Sequence, residues 1–320
     1  MPTTTEYGEG MMDDSDSPKI VVLGSINMDL VARCDALPLR GQTLTAKSFT
    51  EIPGGKGANQ AVAASRAGAR VSMIGRIGSD AFADRLLTDL KDDRVDVKAV
   101  QTAEGPSGVA MITVADDGEN QIVVVPGANG CVTPKDVDRY ADLITDADVL
   151  LLQLEVPMEC VVRAIEVARG GDTRVILDPA PAPDNFPSKL LEVDLICPNE
   201  TEAASLTGAP VETPDEIETA ARRLYERGAK AVAITCGAHG TLLFDGKTVT
   251  HIEAFPTNAI DTTAAGDAFT GAVAVHWAET DLLVDAIRFG NAAGSIAASR
   301  AGAKPSLPTK SEITSRMSRS

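Results

Sequence analysis

Short β-branched runs alternate with segments of helical periodicity along most of this chain, and that alternation admits few architectures. Strand-like runs fall at residues 19–24, 71–75, 147–152, 174–177, 194–197 and 231–235. Helical segments fall at 57–69, 80–91, 157–169, 199–206 and 214–227, with Pro157 opening the third. Such a βαβ rhythm predicts an α/β domain with a Rossmann-like, parallel-rich sheet and helices on both faces, spanning about 19–310. Two stretches break the rhythm. Residues 31–52 and 108–125 are helix-free and rich in Thr, Val and turn residues, and Asp116-Asp117-Gly118-Glu119 is a hairpin signal between 109–114 and 121–125. They predict a small β-sheet lid, with strands within about 29–53 and 105–126, over the crevice at the strand C-termini. An antiparallel extension of the main sheet is the plainer alternative. Residues 311–320 are expected as a C-terminal tail.

Composition excludes several function classes. Only 3% of the 320 residues are aromatic, too few for a platform that stacks single-stranded bases. A net charge of −17 excludes a binder of phosphate backbones, so no nucleic-acid partner is expected. Any anionic ligand must be held by local amides, a few basic groups and a metal. Five scattered cysteines, never in C-x-x-C, fit reduced thiols in the cytoplasm, and the three histidines form no zinc motif. No apolar run approaches the roughly 18 residues of a membrane-spanning helix, so no membrane partner is expected. Residues 1–18 carry Glu6, Glu9, Asp13, Asp14 and Asp16 and no Lys or Arg, which is no targeting peptide. They read as a disordered acidic tail, the alternative being translation from Met11 or Met12.

The chemistry concentrates in a few loops. Asp261 to Asp267, D-T-T-A-A-G-D, precedes an apolar run at helical spacing. It reads as a loop opening into a helix N-terminus, whose free N–H groups attract an anion. Ala264, Ala265 and Gly266 leave those amides open, and Asp267 in the first turn suits a general base; a simple helix cap is the alternative. The turn G-G-K-G-A-N-Q at 54–60 is neither a Walker A loop nor a G-x-G-x-x-G fingerprint. Lys56 and Asn59 there suit hydrogen bonding to a polyhydroxylated ligand, or else mark a tight turn with a solvated lysine. Asn27 and Asp29 share one face of extended chain and can grip vicinal hydroxyls, and Glu155 lies just past another strand. Asn199 and Glu202 share the first turn of a helix and suit Mg²⁺ held mostly through water; mutual capping explains them equally well. Thr235-Cys236-Gly237-Ala238-His239-Gly240 ends a strand with backbone open to a nucleotide.

Taken together, G-S-I-N-x-D at 24–29, G-G-K-G-A-N-Q at 54–60, Q-L-E at 153–155, N-E-T-E at 199–202 and D-T-x-A-A-G-D at 261–267 resemble the PfkB-type carbohydrate kinase family, in its ribokinase branch. The likeness runs from about 19 to 308. It implies transfer of the ATP γ-phosphoryl group to O5 of D-ribose, feeding D-ribose 5-phosphate into the pentose phosphate pathway. It implies Asp267 as base, with the amides of Ala264, Ala265, Gly266 and Asp267 as anion hole. By the same resemblance Asn27, Asp29, Gly55, Lys56, Gly57, Asn59 and Glu155 hold the sugar. Asn199, Thr235, Cys236, Gly237, Ala238, His239, Gly240, Gly266 and Asn291 line the nucleotide site. An activating K⁺ maps to Asp261, Thr263, Ala297, Arg300, Gly302 and Ser306, and the lid implies a homodimer. Fructokinase or adenosine kinase activity is the alternative within the class, the latter disfavoured by the scarcity of aromatic partners for a base. A non-catalytic sugar-binding regulator is the alternative outside it, with no need of Asp267 beside an anion hole.

Overall fold

The computed structural model describes residues 17–319. Residues 1–16, most of the expected acidic tail, lie outside the described residues. Strand β1 (Lys19–Leu23) turns directly into β2 (Asn27–Arg33), and β3 (Ser48–Gly54) leads back into helix α1 (Lys56–Arg66). Then come β4 (Arg70–Ile77), α2 (Ala83–Asp92), β5 (Val100–Thr102) and the hairpin β6 (Gly108–Val114) and β7 (Asn120–Val125). Short helices α3 (Pro134–Arg139) and α4 (Ala141–Thr145) precede β8 (Val149–Leu152), α5 (Met158–Ala168), β9 (Arg174–Leu177) and β10 (Leu195–Ile196). Helices α6 (Glu200–Thr207) and α7 (Pro214–Glu226) are followed by β11 (Val232–Thr235) and the hairpin β12 (Thr241–Phe244) and β13 (Val249–Ile252). The chain closes with α8 (Ala265–Thr280), α9 (Leu283–Ala298) and α10 (Lys310–Met317).

Nine strands form one sheet in the order β13-β12-β11-β10-β9-β8-β1-β4-β5, parallel except for the β12–β13 edge hairpin. Central strands such as β8 are buried throughout, as a parallel sheet covered on both faces requires. Alternate residues feed opposite layers. Val22, Leu151 and Ile176 pack with α1, α8 and α9, while Leu23, Leu150 and Leu177 pack with α5 and α7. Each fully buried aliphatic side chain contributes about 1.5–3 kcal/mol. From β1 the chain crosses to β4 on one side and β8 pairs on the other, which makes this the switch point where a crevice opens.

The second sheet, β3-β2-β6-β7, stands apart from the first, and β2 pairs with β6 in parallel. The expected hairpin across 116–119 is present, and the alternative of an extended main sheet is not. The segment 311–320 is not a free tail. Thr309 and Glu312 form a capping box that starts α10, and Ile313 is buried. No described helix is long and apolar enough to cross a membrane.

Helices α1 and α8 meet almost backbone to backbone. A Cβ at Gly271 of α8 would lie 2.7 Å from Ala63 Cβ and 2.9 Å from the Ala64 nitrogen. Gly271→Ala should therefore cost about 1–3 kcal/mol by overpacking. A lowered denaturant midpoint together with reduced turnover is the expected readout, since both helices carry site residues; an unchanged midpoint would refute the tight contact.

Candidate active site

The residues expected to act together stand at the C-terminal ends of adjacent strands, facing the heads of α1 and α8. Gly24 and Ser25 follow β1, Gln153 and Glu155 follow β8, Asp178 follows β9, Asn199 follows β10, and Thr235 ends β11. Asn27 and Asp29 lie on β2, where the small sheet leaves the body. Two cavities meet at Thr262. One, of about 640 Å³, lies under the small sheet and includes Asp29, Ile52, Ile112 and Thr263. The other, of about 200 Å³, includes Lys56, Asp178, Asn199, Glu202, Thr235, Gly266 and Asp267.

Asp29 opens onto the larger cavity. It is 8% exposed and accepts no hydrogen bond from the described residues, so its oxygens are available to a ligand. Burial, with Glu155 and Asp267 adding repulsion, pushes its carboxyl up to about 7. Asn27 is held from behind, its Oδ1 accepting from Asn129 Nδ2 at 2.7 Å. Asn129 also accepts from the Ile26 N–H. Gly55 takes φ +91 to start α1, and a Cβ there would lie 2.8 Å from the Asn27 nitrogen, so this turn requires glycine. Glu155 caps that helix: its Oε2 accepts from Ser25 Oγ (2.5 Å) and the Lys56 N–H (3.1 Å). Gly57 is enclosed, with its N–H donated to Ser25 Oγ, so it serves packing rather than offering a free donor.

Asp267 lies in the first turn of α8, 4% exposed. Its Oδ2 accepts from Asn59 Nδ2 at 3.0 Å and its Oδ1 from Gln60 Nε2 at 3.1 Å. Ala264 sits in the left-handed region at φ 61 and turns the loop into the helix. One expectation needs correcting: the Ala265 N–H is donated to the Thr262 carbonyl at 3.1 Å, because the loop closes as a turn. The first-turn amides of Gly266 and Asp267 remain for an anion, and nothing crowds the Gly266 side of the helix. Lys56 Nζ stands 3.5 Å from Asp178 Oδ2. Burial works against its charge, yet Asp178, Asp267, Glu155 and Glu202 together hold it above its ordinary value. Asp178 is pushed up by burial, against the pull of Lys56 and with Glu202 and Asp267 repelling.

Toward the expected nucleotide shelf, Asn199 and Glu202 cap each other: Asn199 Oδ1 accepts from the Glu202 N–H (2.8 Å), and Glu202 Oε2 from the Asn199 N–H (2.9 Å). The capping alternative is the one observed, and both residues also line the smaller cavity. The turn Gly237–His239 is exposed, closed by the Cys236 N–H donating to Gly240. Asn291 spends its amide on Thr241, Ile252 and Glu253, and so fixes the β12–β13 edge. On the other flank, Asp261 accepts from the N–H groups of Thr263 and Gly302, both at 2.9 Å. Burial opposes its ionisation, but these bonds hold the carboxyl below its usual range. Ser306 is buried and donates to the Ala303 carbonyl, and the Arg300 side chain turns away to Glu312. Among the described residues no group of three or more His, Cys, Asp or Glu is placed to hold a metal ion.

Four participants had not been singled out. Asp178 follows a strand already read, and the rule that ligands gather at strand C-termini would have found it. Gln60 lay inside a quoted motif, and Gln153 beside Glu155. Asn129, flanked by glycines at 127–130, had only its turn context to mark it.

The model of the pfkB family carbohydrate kinases matches residues 17–310. The chain belongs to this family. It is 41% identical over 299 residues to the ribokinase of Staphylococcus aureus (strain COL), covering 92% of this chain and 98% of that protein. The deoxyribokinase of Salmonella typhi is 39% identical over 263 residues, 82% of this chain and 86% of that protein. Among solved structures, Arabidopsis thaliana ribokinase complexed with ribose and ATP superposes with a TM-score of 0.88 at 33% identity, covering 94% and 99% of the two chains.

A sugar hydroxyl that donates to Asp29 stabilises its ionised form. Sugar affinity should therefore be full above pH 7 and fall as the pH drops below it, by up to about tenfold per unit. Calorimetric titrations of sugar between pH 5.5 and 8.5 check this, with Asp29→Asn expected to bind weakly and without that dependence. A wild-type affinity flat across that range would refute the role of Asp29.

Proposed function

We propose that the chain catalyses ATP-dependent phosphorylation of D-ribose at O5, giving D-ribose 5-phosphate and ADP. One observation carries the reading: Asn59, on the sugar side, is hydrogen-bonded to Asp267 at the head of α8, so acceptor site and anion site share one carboxylate. In the proposed reaction Asn27, Asp29, Lys56, Asn59 and Glu155 fix the sugar hydroxyls. Asp267 takes the proton of O5 as the O5–Pγ bond forms. The bond from Pγ to the β-phosphate oxygen breaks, and its electron pair leaves with ADP. The amides of Gly266 and Asp267 face the transferring group, and Lys56 adds a fixed positive charge. Asn199, Thr235, the 236–240 turn and Gly266 would carry the nucleotide, with the shelf fixed by Asn291.

Magnesium suits the oxygen donors of Glu202, Asn199 and Asp178. Mutual capping commits part of the Asn199–Glu202 pair, which favours an ion held through its own water and the phosphates. Bound there, it neutralises phosphate charge. The Asp261 carboxylate, the Ser306 hydroxyl and the carbonyls of Thr263, Ala297, Arg300 and Gly302 offer hard oxygens suited to K⁺. Five free cysteines support a reducing compartment, the cytoplasm. A homodimer through the small sheet is supported by its outer face, where Phe49, Met111, Val123 and Val125 are exposed together while Asp29 and Val31 face the cavity.

The similarity to a deoxyribokinase favours one second reading, 2-deoxyribose as acceptor. A coupled ADP-release assay with ribose, 2-deoxyribose, fructose and adenosine separates them, with ribose expected to give the highest kcat/KM. Asp267→Asn should lower kcat by about 10²–10⁴-fold and leave sugar binding nearly intact. Retention of more than about a tenth of wild-type kcat would exclude Asp267 as the base. Activity in potassium-free buffer should fall and recover with K⁺ better than with Na⁺; undiminished activity there would sink the cation site.

A further inference from the structure

Gln60 sits where two buried carboxylates meet. Its Nε2 donates to Asp267 Oδ1 at 3.1 Å and to Asp178 Oδ2 at 2.8 Å. One amide nitrogen carries two protons, so each carboxylate receives one. The arrangement holds only while Gln60 Oε1 faces the other way, and there it accepts from Gln153 Nε2 at 2.5 Å. A Gln60 amide rotated by half a turn would press its oxygen against both carboxylates with no proton between. Gln153 prevents that rotation.

The lock has a visible cost. Gln153 Oε1 is the one buried side-chain oxygen or nitrogen among the described residues that lacks a hydrogen-bond partner. It faces Gly24, where a Cβ would lie 2.0 Å away, so the residue after β1 must be glycine. An unpaired acceptor in a core is unfavourable. The orientation of Gln153 is therefore set by what Gln60 needs. Asn59 holds Oδ2 of Asp267 while Gln60 holds Oδ1, and together they fix the plane of the carboxylate.

We propose that Gln60 is a positioning residue for phosphoryl transfer, holding the Asp267 carboxylate in the orientation that receives the acceptor proton, and that Gln153 locks Gln60 in place. The proposal rests on Asp267 being the base. Loss of the Gln60 donor frees one oxygen of Asp267 and with it the plane of the carboxylate. Asp29 of β2, Lys56 of α1 and Asp178 after β9 interact electrostatically with Asp267. Gln60→Met also withdraws the donor from Asp178, whereas Gln153→Leu leaves both carboxylates' donors in place.

The test compares Gln60→Met and Gln153→Leu with Asp267→Asn in the full-length protein, measuring kcat, sugar KM and melting temperature. Gln60→Met should lose about tenfold or more in kcat with sugar KM changed by less than about threefold. Gln153→Leu should lower kcat by less, again with sugar KM nearly unchanged, and with little change in melting temperature, because it removes one unpaired oxygen and leaves another on Gln60. If Gln60→Met fails to fold, Gln153→Leu carries the test alone. Wild-type kcat in the folded variants, or a loss carried by sugar KM rather than kcat, beside an inactive Asp267→Asn, would overturn the positioning role while leaving the base in place. An active Asp267→Asn would overturn both.

Discussion

Several carboxylates crowd around a single ammonium at the centre of this molecule, and much of the surrounding structure follows from that. Asp29, Glu155, Asp178, Glu202 and Asp267 all act electrostatically on one another or on Lys56. A bare carboxylate in a low-dielectric interior is costly. The fold offsets the cost with helix heads and amides: Glu155 caps α1, Asp267 heads α8, and Asn59 and Gln60 donate between them. Those donors reach Asp267 only because α1 and α8 touch at Gly271 and Ala63. Close packing of two helices is thus a condition for the site's charge state. Asp29 alone among them is left without a donor from the described residues.

The architecture was legible because parallel strands buried on both faces write themselves as apolar runs. Residues 174–177 were read with the bounds they have, and the hairpin across Asp116–Glu119 was marked by its turn. The elements that escaped lacked such marks. The edge strands β12 and β13 are four residues each, too short for a period to show. Helix α10 begins at a capping box that was there to be read in Thr309 and Glu312, at the end of the chain where a tail was assumed. In the site, single residues within motifs were legible and their partners were not. Asn59 could be named from a turn, but the contact of Gln60 with Asp178, 118 positions away, is a property of the fold.

The small sheet divides its labour by face. Strand alternation sends Asp29, Val31 and Ile52 toward the cavity and Leu30, Phe49 and Met111 outward. A one-residue slip in the β2–β3 register would exchange the two sets, putting a carboxylate in water and an apolar side chain over the cavity. Gly54 and Gly108, which flank Asn27 on the neighbouring strands, leave room for Asp29 and Asn129 that no other residue would give.

The acidity of the sugar cavity has a consequence for the direction of the reaction. In the proposed reaction a neutral pentose would enter the cavity at Asp29, with Glu155 acting on that carboxylate, without electrostatic penalty. Its phosphate ester is a dianion, and transfer moves that charge from the nucleotide's side of Asp267 to the side where those carboxylates stand. Repulsion in a poorly screened cavity then acts on the product and not on the substrate. If these carboxylates hold the sugar as proposed, the groups that recognise the neutral acceptor would also favour release of the charged product.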